Sequence, residues 1–206
     1  MRLYTIQSTI FYENLLADGI AYCEHTSETA IELMDSYLWM ADQLNQKVPC
    51  PKEGILPIWA WYTKQIPQPP FSPDIMDCGI ESDEAVYLEI EVPEKDILLS
   101  DADLWYDRVI NLEHVCNKKS PLAMKISRLE KEAGKILFFE DFSESLQEEI
   151  RESWNNIFVL SDKTKSIQAV FWSLRKEQII SAYKLEFDGE ILQYHRIKKS
   201  PSEEGQ

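Results

Sequence analysis

Residues 166–174, Ser-Ile-Gln-Ala-Val-Phe-Trp-Ser-Leu, constrain this chain more than any other stretch. In an extended segment Ile167, Ala169 and Phe171 occupy one face, and Val170, Trp172 and Leu174 the other. Side chains of a strand alternate between its two faces, so a segment apolar on both must lie inside a covered sheet. The other elements have to supply that cover. One polar residue, Gln168, interrupts the run, and a buried amide needs hydrogen-bond partners. It reads either as a satisfied core amide or as a ligand-binding one.

Residues 2–7 predict an opening strand, with Leu3, Thr5 and Gln7 on one side and Arg2, Tyr4 and Ile6 on the other. Ser8 starts a short helix that Gly19 ends, and Thr26 or Ser27 caps a long helix reaching about Val48. Seven prolines then punctuate residues 49–73 and forbid a long helix there. Between them Ile58–Tyr62 is β-like, and its Trp59, Trp61 and Tyr62 must cover a core edge or line a cleft.

Residues 85–92 alternate, Val86, Leu88, Ile90 and Val92 inward, Tyr87, Glu89 and Glu91 outward. That pattern predicts a half-exposed strand, with Ile97–Ser100 as its continuation past Pro93. Ser100 or Asp101 caps a helix striped by Trp105, Val109, Leu112 and Cys116. Ser120-Pro121 opens another, carrying Leu122, Ile126, Leu129 and Ala133 and closed by Gly134. A third runs from Ser143 to Ile157 along Leu146, Ile150, Trp154 and Ile157, with a Ser145/Glu148 capping box. Asp188-Gly189 predicts a two-residue turn between strands of about 183–187 and 190–197. The order implies an α+β fold with a mixed or antiparallel sheet, one domain over residues 1–197, and a polar, frayed tail over 198–206.

The chain carries 36 acidic and 21 basic residues, a net charge of −15, which opposes binding to the backbone of duplex DNA. Acid concentrates between Glu81 and Asp107, where Glu81, Asp83, Glu84, Glu89, Glu91, Glu94, Asp96, Asp101, Asp103 and Asp107 face Lys95 alone. This segment reads as a docking face for a basic protein partner or as a solvated surface. No apolar run has the length of a signal peptide or a membrane span, which predicts a cytoplasmic protein without membrane contact. Cys23, Cys50, Cys78 and Cys116 form no C-x-x-C, and Cys23/His25 and His114/Cys116 are two-residue clusters only. No metal site is expected, and the cysteines read as reduced, mostly buried thiols. Six glycines leave no phosphate-cradling loop, and no G-x-G-x-x-G, G-x-S-x-G or H-E-x-x-H pattern is present.

In order along the chain, YTIQS, LWMADQ, PIWAWY, VYLEIEVPEKDILLSDADLW, ESWNNIF and IQAVFWSLRKEQI resemble the bacterial family catalogued as domain of unknown function 3841, over about Leu3 to Phe187. A second likeness lies in the L-Y-x-x-Q opening, the V-Y-L strand leading to L-L-S-D, and the late Q-A-x-F-W strand. This layout is similar to the DarT-like ADP-ribosyltransferases, which modify DNA bases using NAD. The likeness implies that a catalytic glutamate would stand directly after Ala169, where this chain has Val170. An apolar side chain can neither polarise a ribose nor activate an acceptor.

Three functions stay open on the sequence, the plainest of them a small-molecule sensor. The first is an ADP-ribosyltransferase-like fold binding a nucleotide, NAD among them, or another small molecule without the usual glutamate. Its candidate ligand-binding residues are Tyr4, Gln7, Trp61, Tyr62, Asp101 and Gln168. The second is a non-catalytic acidic interaction module, an accessory, immunity or anti-defence factor.

Overall fold

The protein is described here by a computed structural model covering residues 1–24, 33–62, 85–187 and 192–197. Among the described residues ten strands and five helices follow one another as an α+β fold. They are β1 (Arg2–Ser8), α1 (Thr9–Asp18), β2 (Ile20–Glu24), α2 (Met34–Lys47), β3 (Ile55–Leu56), β4 (Ile58–Tyr62) and β5 (Ala85–Glu91). Then come β6 (Leu98–Asp101), α3 (Ala102–Leu104), α4 (Pro121–Ala133), α5 (Glu144–Ser153), β7 (Ile167–Phe171), β8 (Ser173–Arg175), β9 (Ile179–Phe187) and β10 (Leu192–Arg196). Seven strands form a sheet in the order β10-β9-β5-β1-β4-β7-β6, and β3-β2-β8 form a smaller one. Every pairing among β10, β9, β5, β1 and β4 is antiparallel.

Helix boundaries follow local chemistry. The Ser8 hydroxyl accepts from the Phe11 N–H at 3.1 Å to start α1, and Gly19, at φ 76°, closes it with its N–H on the Leu15 carbonyl. Ser120 likewise accepts from Ala123 at 3.1 Å, Pro121 occupies the first turn of α4, and Gly134 ends that helix at φ 67°. The caps expected for α2 at Thr26 or Ser27, and the Asp188-Gly189 pair, lie outside the described residues.

Several sequence expectations are corrected. β5 is not half exposed: Ala85 to Ile90 are all buried, Tyr87 at 0% and Glu89 at 6% exposure. The strand lies between β1 and β9, so cross-strand side chains cover the face that alternation assigned to water. β6 does not continue β5 past Pro93 but stands at the far edge of the sheet, after a 3₁₀ turn at Glu94–Asp96. The helix after Asp101 is one turn followed by a π-turn over Trp105–Val109. Leu112, at φ 56°, takes the left-handed conformation, so the stripe breaks: Val115 is buried and Cys116 only half-buried. Ser143, not Ser145, stands at the N-cap of α5. β9 and β10 pair antiparallel as expected, with Leu192 opposite Phe187, and the turn between them lies outside the described residues. The double-sided apolar segment splits at Trp172 between β7 and β8, which belong to different sheets. Of the described cysteines, Cys50 is exposed and Cys23 and Cys116 are half-buried, so none is a core residue.

Backbone contacts divide the chain into two compact units, with boundaries at Trp39/Met40, Leu98/Leu99 and Gln168/Ala169. The first holds β1 to β5 and β8 to β10 around Leu3, Leu15, Met40, Leu44, Ile58, Leu88 and Ile90, each at most 1% exposed. The second holds the Met34–Trp39 turns of α2 with α3, α4 and α5. Its core is aromatic. Trp154, fully buried, meets Trp39 edge-on at 5.3 Å and donates its indole N–H to the Glu113 carbonyl at 2.8 Å.

Replacing Trp154 tests that anchor. Trp154→Ala is expected to cost about 3–5 kcal/mol of stability, and Trp154→Phe about 1–2 kcal/mol because most of the packing survives while one buried hydrogen bond is lost. Urea unfolding followed by circular dichroism measures both.

Candidate functional site

The first unit presents one sheet face that combines rings, a carboxylate and a guanidinium. Tyr4 of β1 lies opposite Glu89 of β5 and Trp61 of β4. Directly opposed residues of antiparallel strands share a face, so Arg2, Tyr4, Trp61, Tyr87 and Glu89 project to the same side, joined across β9 by Ser181 and Tyr183. The Tyr4 ring stacks near Trp61 at 5.6 Å and 17°, and near Tyr87 at 5.8 Å and 24°. Tyr183 meets Tyr87 edge-on at 6.0 Å. Tyr4 and Trp61 remain half-buried, so the outer end of the ring row reaches water.

Beside that row sits the buried carboxylate of Glu89. Ser181 Oγ donates to it at 3.0 Å, and Arg2 Nη2 lies 3.2 Å away. The Arg2 side chain keeps 60% of its surface exposed, so one side of the guanidinium is tethered and the rest faces solvent. Burial pushes the Tyr87 phenol well above its ordinary pKa, reinforced by Tyr4, Glu89 and Tyr183. The phenol therefore stays protonated.

The residues singled out from sequence do not all join this face. Three positions from Tyr4 along β1, Gln7 points the other way. Its Nε2 donates to Thr5 Oγ1 at 2.7 Å, and Thr5 Oγ1 donates to the Trp59 carbonyl at 2.6 Å. Strand alternation also turns Tyr62 away from Trp61, so the ring pair is Tyr4 with Trp61.

Asp101 and Gln168 belong to the second unit. Asp101 Oδ1 accepts from the Leu104 N–H at 3.0 Å as an N-cap. Gln168 is 2% exposed and donates to Ser100 Oγ at 3.1 Å. Val170 and Trp172 are packed at 0% and 5%, and the Trp172 indole donates to the Val48 carbonyl at 2.7 Å. Of the acidic 81–107 stretch, Glu81, Asp83 and Glu84 lie outside the described residues. Glu89 is buried, Asp101 is a cap, and exposed carboxylates remain at Glu91, Glu94, Asp103 and Asp107.

Sequence reasoning passed over Arg2, Tyr87, Glu89, Ser181 and Tyr183. The i, i+2 spacing of Tyr87 and Glu89 carried the signal that they share a face, and it becomes a site signal only once both edges of β5 are known to be paired. No group of three or more His, Cys, Asp or Glu suited to a metal occurs among the described residues. No helix there is long and apolar enough to cross a membrane.

The family model for a domain of unknown function, DUF3841, matches residues 2–180. No curated protein and no solved structure matches the chain.

Val170 is 0% exposed, so a carboxylate introduced there is withdrawn from solvent. Val170→Glu is expected to lower stability by about 3–5 kcal/mol, the cost of an uncompensated buried charge, and to confer no NAD turnover. Urea midpoints of the two proteins measure the first expectation and NAD consumption the second.

Proposed function

The chain belongs to the DUF3841 family, which hands down no activity, and we propose that its first unit is a binding site for a nucleotide-class ligand, on an ADP-ribosyltransferase-like fold that lacks the glutamate chemistry. One observation carries the reading: the half-exposed Tyr4–Trp61 pair stands on the same sheet face as Arg2 tethered to Glu89. Aromatic rings offer stacking area to a planar base. A guanidinium suits phosphate oxygens, and pre-orienting it on a buried carboxylate lowers the entropy lost on binding. A ligand with a base at one end and a phosphate at the other matches both groups.

The same face argues for binding over catalysis. The position that the DarT-like resemblance assigns to the catalytic glutamate is the enclosed Val170. Glu89 is already engaged by Arg2 and Ser181. NAD is thus a candidate ligand and is not consumed.

Thermal unfolding of the full chain with NAD, ADP-ribose, AMP and adenosine tests this. The phosphate-bearing ligands are expected to raise Tm by about 2–4 °C at a few-fold excess over Kd, with adenosine weaker. Trp61→Ala and Arg2→Ala should each abolish most of the shift, without NAD hydrolysis in any sample. A panel that leaves Tm unmoved, or a shift that survives Trp61→Ala unchanged, overturns the reading.

A further inference from the structure

The second unit holds a thiol–imidazole pair that the ring-binding face does not use. Cys116 Sγ lies 3.0 Å from His114 Nδ1, and Ser120 Oγ lies 3.0 Å from the same sulfur. Both contacts are satisfied when the Cys116 thiol donates to Nδ1 and the Ser120 hydroxyl donates to sulfur. Ser120 is also the N-cap of the 13-residue helix α4, so the sulfur sits beside the positive end of that helix's dipole. Helix N-termini and neighbouring histidines are the surroundings in which thiolates form.

His114 and Cys116 line a hollow of about 450 Å³ together with Leu104, Arg108, Lys118 and Lys119. Arg108 is paired with Glu113, whereas Lys118 and Lys119 have no ion-pair partner among the described residues. The hollow is therefore cationic in a chain of net charge −15.

The loop bearing the pair is held in place. Trp154 donates to the Glu113 carbonyl at 2.8 Å, Ser153 Oγ accepts from the Val115 N–H at 2.9 Å, and Asn156 donates to the Val115 carbonyl at 2.8 Å. Val115 points into the core at 4% exposure, between the two half-buried functional residues. Leu112 enters the loop at φ 56°, in the left-handed region that a β-carbon disfavours. A strained, triply anchored loop presents His114 and Cys116 together.

We propose that Cys116 is a nucleophilic thiol with His114 as its base, and that the basic hollow around it takes a small anionic disulfide, which makes Cys116 a site of reversible S-thiolation. The Sγ proton passes to His114 Nδ1, and the thiolate attacks one sulfur of the disulfide. The Sγ–S bond forms as the reagent's S–S bond breaks, and the departing thiolate takes the proton back from His114. Cys116 is oxidised and half of the reagent is reduced, so the exchange needs no further redox partner.

The electrostatic surroundings agree with a base. Burial holds the His114 imidazole below its ordinary pKa, with Arg108 adding to the effect and Glu113 and Glu130 opposing it. Near neutral pH the ring is unprotonated and Nδ1 can accept. The other described thiols lack this arrangement. Cys50 is exposed, but its Sγ donates to the Lys52 carbonyl at 3.1 Å, and burial raises the pKa of Cys23.

The test uses the full chain, treated with dithiobis-nitrobenzoate, a disulfide with two carboxylates, or with cystamine, which carries two ammonium groups. Peptide mass spectrometry follows each cysteine with time. Near pH 7 Cys116 is expected to react with the anionic reagent about tenfold faster than Cys50, and to favour it over cystamine more strongly than Cys50 does. Exchanging the exposed Lys118 and Lys119 together for Gln should remove that preference. His114→Gln should slow Cys116 about tenfold near neutral pH and have little effect in alkali, where the thiol ionises unaided. Should that variant fold poorly, the wild-type pH–rate profile gives the same information, because Cys116 must keep its rate to lower pH than Cys50. Equal rates at Cys116 and Cys50, or an unchanged profile in folded His114→Gln, overturn the proposal.

Discussion

Strand β5 is hydrogen-bonded along both edges, to β1 and to β9, and most of the first unit follows from that pairing. Registered opposite Tyr4 and Ser181, Glu89 has nowhere to point except into a layer of cross-strand side chains. A carboxylate withdrawn from water to 6% exposure must be compensated, and Arg2 and Ser181 do so from the two neighbouring strands. A buried ion pair is weak support for stability in itself. What the Glu89 contact fixes is Arg2, which would otherwise sweep a wide volume at the strand end. The same register places Tyr4 between Trp61 and Tyr87. One pairing pattern thus sets both the ring row and the orientation of its cation.

The second unit is organised differently. Its anchor is Trp154, whose ring contacts Trp39 and Phe139 while its indole N–H holds the Glu113 carbonyl. Ser153 and Asn156, its neighbours in sequence, bind the next residues of the same loop. Burial of one large side chain thereby fixes a loop that has no regular structure of its own. The His114–Cys116 contact depends on that restraint, since a mobile loop would not keep a thiol at hydrogen-bond distance from an imidazole.

Local signals in the sequence translated well into structure, and pairing partners did not. Ser8, Gly19, Ser120, Pro121 and Gly134 mark helix ends because a cap is chemistry among residues a few positions apart. The stripe Leu146, Ile150, Trp154, Ile157 predicted the buried face of α5 and its 3₁₀ extension for the same reason. Whether β5 is central or half exposed depends on partner residues more than 75 positions away in sequence, and alternation cannot report that. Residues 97–100 illustrate the same limit, since a strand after a short turn resembles a continuation until its neighbours are known. For the site, Tyr4 and Trp61 were legible as rings on strands. Gln7, Asp101 and Gln168 have local hydrogen-bonding roles that composition could not separate from ligand binding. Spacing placed His114 and Cys116 near each other, but only the fold supplies Ser120 and the basic hollow.

The proposed ligand site is the Tyr4–Trp61 face of the first unit and not the wall of β7. Titrating ADP-ribose into uniformly ¹⁵N-labelled protein reads this directly, because Trp61 and Trp172 each carry an indole N–H and the Trp172 group is engaged with the Val48 carbonyl. Progressive, saturable movement of the Trp61 indole resonance with the Arg2 and Tyr4 amides, while the Trp172 indole stays fixed, is expected if the ligand binds there. Movement centred on Gln168, Val170 and Trp172 with Trp61 unchanged would contradict it.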